Sequence, residues 1–127
     1  MKYKKIFKVP IYKGKFVVCI GDDIHEAGEA IGLRLTESAE GFLALAVSKE
    51  NNKGVWAVLF PKESIYLHGT IAHEAKHIVN YIFADRGVLL DTENDEAECY
   101  FLGWVVDRIY EAIQQYEYLH KRNTAKP

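Results

Sequence analysis

Within the stretch GTIAHEAKHIVNYIF, Gly69 to Phe83, two imidazoles and a carboxylate follow one another as His73-Glu74-Ala75-Lys76-His77. Four residues make ~400° of an α-helix, so His77 lies ~40° past His73 and one turn further along. Both rings then leave one face of the helix, close enough to hold one ion. Zinc accepts imidazole nitrogen at ~2.0–2.1 Å, and a helical pair four apart meets that without strain. Glu74 stands ~100° round from His73, beside the pair, where it reaches a water activated by the ion rather than the ion itself. In that geometry the middle glutamate of an H-E-x-x-H string serves as general base. Ile71, Ala75, Ile78 and Ile82 form an apolar stripe roughly opposite the histidines, whose own face carries Gly69, Thr70, Asn80, Tyr81 and Ala84. Packed core histidines belong on the apolar stripe, and these are not on it. The plain alternatives are an exposed pair or a polar pair under another element.

A catalytic zinc takes three protein ligands and keeps one position open. The acidic run DTENDEAECYFLGW, Asp91 to Trp104, offers the third. Acids at a helix N-terminus favour the macrodipole, which accounts for Asp91, Glu93 and Asp95 without any site. Glu96 and Glu98 run into the apolar body of the helix, and an inward-facing glutamate there needs a cation or hydrogen-bond donors. Glu96 shares its face with Cys99, Gly103 and Val106, a stripe of small residues that allows close approach to the histidine helix. Glu98 shares a bulkier side with Phe101, Leu102 and Val105. Glu96 is the expected third ligand and Glu98 the alternative.

In these residues the chain resembles the gluzincin metallopeptidases, and most of all their compact members, the minigluzincins. The resemblance lies in His73-Glu74-x-x-His77, then Glu96, then a small residue, Cys99, three positions later, and it covers roughly Phe42 to Arg108. It implies a zinc-dependent peptidase with a zincin-like active-site helix. His73, His77 and Glu96 hold the metal, and Glu74 takes a proton from the activated water and passes it to the leaving amine. It also implies a donor beside the developing oxyanion, for which Tyr81, Tyr100 and His68 are candidates. The strand before the motif helix, Val55 to Phe60, is expected to border the cleft and pair with extended substrate. Thermolysin-like chains carry an aspartate four residues after the third ligand. Here that position is Tyr100, so a partner orienting a histidine is sought in Asp95, Glu98 or Asp107. A second reading from a different class is a non-catalytic metal-binding or regulatory protein-interaction module on the same scaffold.

The elements that must position these groups can be read along the chain. Ile6 to Tyr12 and Phe16 to Ile20 are expected as strands around a Lys13-Gly14-Lys15 turn, with Pro10 marking an edge strand or a bulge. Asp22 or Asp23 caps a helix running to about Arg34, with Glu26 completing a capping box. GFLALAVSK and VWAVLFP form a second hairpin across ENNKG. A helix from about Ser64 to Asp85 stops at Arg86-Gly87, and the last helix spans about Thr92 to Leu119. The order β-β-α-β-β-α-α with two hairpins predicts an α+β fold, a small antiparallel sheet with packed helices, in one domain, residues 1–127.

The chain has 127 residues, 49% apolar and 27% charged, with net charge −2 and pI about 6.2. That balance leaves no basic footprint for nucleic acid and no polybasic patch for a membrane surface; the partner that the resemblance implies is a peptide or protein substrate. No apolar run approaches the ~18 residues of a spanning helix. No leader-like apolar region follows the basic start. Cys19 and Cys99 fit no metal-knuckle spacing and sit in apolar segments, so both are expected as buried free thiols in a reducing, cytoplasmic setting.

Overall fold

The computed structural model describes residues 2–49 and 54–124. The elements are β1 (Tyr3–Lys8), β2 (Lys15–Gly21), α1 (Ile24–Glu29), β3 (Leu45–Ser48), β4 (Val55–Pro61), α2 (His68–Asp85) and α3 (Glu96–Thr124), with short 3-10 turns at Glu37–Ala39 and Lys62–Tyr66. The fold is α+β. Both hairpins form: β1 pairs antiparallel with β2, Tyr3 opposite Ile20, and β3 pairs antiparallel with β4, Leu45 opposite Leu59. The turn expected within ENNKG lies, apart from Gly54, outside the described residues.

The sheet runs β1-β2-β4-β3, and its central pair is parallel, Phe16 beside Trp56. It is therefore mixed, not wholly antiparallel. After β2 the chain crosses over through α1 and β3, so β4 returns beside β2 in the same direction. Hairpin turns are local and leave a signal in sequence, whereas pairing across a crossover does not. The central strands do show why they are central: both are apolar on both sides, as a strand covered on both faces must be. Phe16, Val18, Ile20, Trp56, Val58 and Phe60 face α2 and α3, while Val17, Cys19, Ala57 and Leu59 face Ile24 and Ala27 of α1.

Several boundaries move for local reasons. β1 starts at Tyr3 and is over by Lys8, so Pro10 follows the strand rather than sitting in it, although β1 is an edge strand. Beyond it Tyr12 N–H donates to the Pro10 carbonyl across Ile11, whose φ is 64°, and Val9 N–H closes on the Gly14 carbonyl. At α1 the Asp23 carboxylate accepts from Glu26 N–H and the Glu26 carboxylate accepts from Asp22 N–H, both at 2.8 Å. That helix ends at Glu29, short of Arg34. Gly32, φ 70°, lets Leu33 N–H reach the Gly28 carbonyl at 2.9 Å, a left-handed stop. Ile31, Leu33 and Leu35 still pack on the α1 cluster, which is why the segment reads as helical further on. Gly87, φ 71°, stops α2 the same way, with Val88 N–H on the Phe83 carbonyl at 2.8 Å. α3 begins at Glu96 rather than near Thr92, because Asp91 first closes a turn with its side chain on Glu93 N–H and its carbonyl on Asn94 N–H.

The C-terminal end of α2 is tied to the sheet. The fully buried Trp56 donates its indole N–H to Asp85 at 2.7 Å, Ser48 donates to the same carboxylate at 2.9 Å, and the Arg86 guanidinium lies 5.0 Å from the Trp56 ring. Arg86 also donates to the Tyr12 carbonyl. Among the described residues no helix is long and apolar enough to cross a membrane.

Candidate metal centre

On α2, Ile71, Ala75, Ile78 and Ile82 are fully buried against the sheet, while His73 is exposed on the opposite side. The helix thus presents its histidine face outward, as the 100° spacing requires. The Nε2 atoms of His73 and His77 are 3.1 Å apart and the rings meet edge to face at 4.7 Å. Two nitrogens each ~2.0–2.1 Å from a tetrahedral zinc stand ~3.3 Å apart, so these two converge on one ion position. His73, Glu74 and His77 each bring a ligand atom within 4.8 Å of the others, a group that can hold a metal ion.

Glu74 is only 6% exposed. Burial raises its carboxyl above the usual carboxylate range, and the charge of His73 and His77 pulls part of that back. A carboxylate short of water beside two imidazoles holds a proton more readily than a surface acid does, which suits it to accept one and return it.

The structure treats the two candidate third ligands differently. Glu96 opens α3 and is exposed, and its carboxylate is not part of the His73–Glu74–His77 group. The expectation that it faces inward does not hold. α3 packs through Phe101, Val105, Ile109 and Ala112, roughly opposite Glu96 on the helix, and Cys99 and Gly103 on the Glu96 side are exposed as well. Glu98 falls on the packed side. Its carboxylate meets Lys76 Nζ at 2.5 Å, and Lys76 also donates to Asn80 at 2.7 Å. Glu98 is therefore committed to a lysine. Glu96 looks away from the sheet, as the histidine pair does.

Among the candidate donors, Tyr81 stacks on His77 with ring centres 6.2 Å apart. His68 is hydrogen-bonded through Nδ1 to the Tyr110 hydroxyl. Tyr100 is 77% exposed and lines a separate apolar hollow with Tyr12 and Trp104. Only Tyr81 stands against a histidine of the group.

A cleft of about 420 Å³ opens beside the site, with Gly41, Phe42, Leu43 and Ala44 on one wall and Gly69, Thr70, His73 and Glu74 on the other. The first wall is the chain leading into β3. Here the structure corrects the expectation for Val55 to Phe60. β4 is paired on both sides, with β2 and with β3, and has no edge to offer a substrate. Among the described residues β3 has a neighbour on one side only, and it packs near α2. Phe42 and Leu43, 46% and 58% exposed, are cleft residues that the sequence reading passed over. Their signal is an apolar pair standing just ahead of the strand, where a solvated loop would be polar. Cys19 is buried as expected, but Cys99 is exposed, because it shares the outer face of Glu96.

Comparison with protein-family models, with curated proteins and with solved structures finds no match to this chain. The case for a metal centre therefore stands on the His73–Glu74–His77 group itself.

Proposed function

We propose that the chain is a zinc-dependent peptidase working along the cleft between α2 and the edge strand β3. One observation carries the reading: two imidazole nitrogens 3.1 Å apart, beside a buried carboxylate, on the wall of an open cleft. His73 and His77 would hold the ion, and Glu96, exposed at the start of α3, is the residue we assign as third ligand. Glu98, engaged by Lys76, is not. Bound there, zinc lowers the pKa of water toward ~7 and polarises a carbonyl. Glu74 would accept the proton of the attacking water and deliver it to the leaving amine. The Tyr81 hydroxyl is the donor best placed beside His77 for the oxyanion.

The substrate main chain adds to the free side of β3, and Phe42 and Leu43 meet its apolar side chains. Both cysteines are free thiols, and we place the enzyme in a reducing compartment, the cytoplasm. The test is cleavage of an unstructured protein by wild type and Glu74→Gln, each with zinc content measured. Zinc in both and cleavage in the wild type alone supports the reading. Equal cleavage by both removes Glu74 from it, and zinc without cleavage in either turns the chain into a binding module.

A further inference from the structure

We infer that Lys76 and Glu98 form a positioning pair that sets where the first turn of α3, and with it Glu96, stands against His73 and His77. The inference rests on the zinc reading above. Lys76 lies inside the motif, ~60° from His73 on the side away from Glu74. α2 therefore turns Glu74 to the cleft and Lys76 to α3. The Lys76 Nζ to Glu98 Oε2 distance is 2.5 Å, and Asn80, one turn along, holds the same ammonium at 2.7 Å.

The start of α3 is largely exposed, although Ala97 and Tyr100 border a hollow shared with Pro10, Ile11 and Tyr12. Of Glu96, Ala97, Glu98, Cys99 and Tyr100, only Glu98 is partly buried, and the other four are exposed. Continuous packing begins at Phe101, which stacks on Phe83 of α2. Upstream, Val88 packs partly buried against the core, while Leu89 and Leu90 are 89% and 49% exposed. Among the described residues, the Lys76–Glu98 ion pair joins the turn that carries Glu96 to the histidine helix. With Glu98 only 19% exposed, that pair is better shielded than an open surface one. The pair has a second effect. It neutralises an ammonium next to a site meant for a dication, and it keeps Glu98 from competing for that ion.

The roles separate in a set of variants that leaves net charge unchanged. Lys76→Met with Glu98→Gln removes the pair, and Lys76→Glu with Glu98→Lys reverses it. Zinc affinity is measured for each against a chromophoric chelator, with the melting temperature of the metal-free forms as a control for folding. We expect the neutral double variant to bind zinc about tenfold more weakly, and the reversed pair to return to within about threefold of wild type. Wild-type affinity in the neutral variant overturns the inference, as does a reversed pair no better than the neutral one. Complete loss of zinc in the neutral variant, equal to that of Glu96→Ala, makes Glu98 a ligand and also overturns it. If the neutral variant does not fold, Glu98→Gln alone carries the same tenfold expectation and the same reversals. A wild type that takes up no zinc defeats the peptidase reading itself, and the pair's role with it. Zinc in the wild type with no response to these variants defeats only the pair.

Discussion

His73 and His77 bring their Nε2 atoms to 3.1 Å across one turn of α2, while Ile71, Ala75, Ile78 and Ile82 bury the far side of that turn in the core. The geometry of the pair is thus a by-product of how the helix packs.

Glu74 follows from the same turn. It is buried, it flanks the histidines, and its raised carboxyl pKa comes first from burial. Glu74→Gln keeps the shape and removes the base. We expect kcat to fall ~10²–10⁴-fold, with KM and zinc content little changed. A variant that loses zinc together with activity shows Glu74 to be a ligand, contrary to this assignment.

The cleft wall at Gly41–Ala44 leads along the chain into β3, which among the described residues is paired on one side only. A peptide N-methylated at alternate amides, on the side that faces β3, loses main-chain pairing there. Its KM should rise about tenfold over the unmethylated parent, with cleavage at the same bond. Unchanged KM for peptides methylated in either register excludes strand addition.

Much of this was legible in the sequence, and the rest fails for physical reasons. The motif face of α2 follows from 100° steps, and the stop from the Arg86-Gly87 pair, glycine being the residue that takes the left-handed φ found there. The sheet order was not legible. Once β4 pairs with β2, β3 becomes the edge, and no local pattern in LAVS or VWAVLF reports that choice. At the site, Glu96 and Glu98 differ by ~200° on α3, so which one faces α2 depends on where the buried face of α3 falls. Phe101, Val105 and Ile109 fix that face and put Glu98 inward and Glu96 outward. Cys99 misleads for the same reason, since apolar neighbours in sequence are not neighbours on a helix face.

The thiols offer a direct check on that face. Cys19 is fully buried, and burial pushes its pKa to about 12, while Cys99 is exposed. A disulfide-exchange reagent at neutral pH should titrate one thiol in the native protein, lost in Cys99→Ser, and two after denaturation. Above the ordinary thiol range the unfolded chain releases the Cys19 proton while the folded chain keeps it up to about pH 12. This thiol's contribution to stability is therefore level at neutral pH and falls as pH rises from about 9 toward 12. Rapid reaction of both thiols in the native state contradicts the packing of β2 on α1.

Two glycines with positive φ should differ sharply. At Gly32, φ 70°, an added Cβ meets nothing within 4 Å, whereas at Gly14, φ 99°, it falls 2.5 Å from the Gly54 carbonyl oxygen. Gly32→Ala is expected to cost about 1 kcal/mol from backbone strain alone. Gly14→Ala adds a clash that only backbone movement relieves, for about 3 kcal/mol or more in total. Urea unfolding of the two variants measures the difference, and equal costs refute the close approach of the 9–14 loop to β4.

The central claim is that the motif helix and α3 together hold one metal ion. Its most direct test is the zinc content of the chain purified without added metal and again after reconstitution, for wild type, His77→Ala and Glu96→Ala. The account predicts about one zinc per wild-type chain and clear loss in both variants. Zinc retained in Glu96→Ala moves the third ligand elsewhere. A wild type that takes up none even after reconstitution leaves His73 and His77 as a coincidence of spacing and contradicts the account.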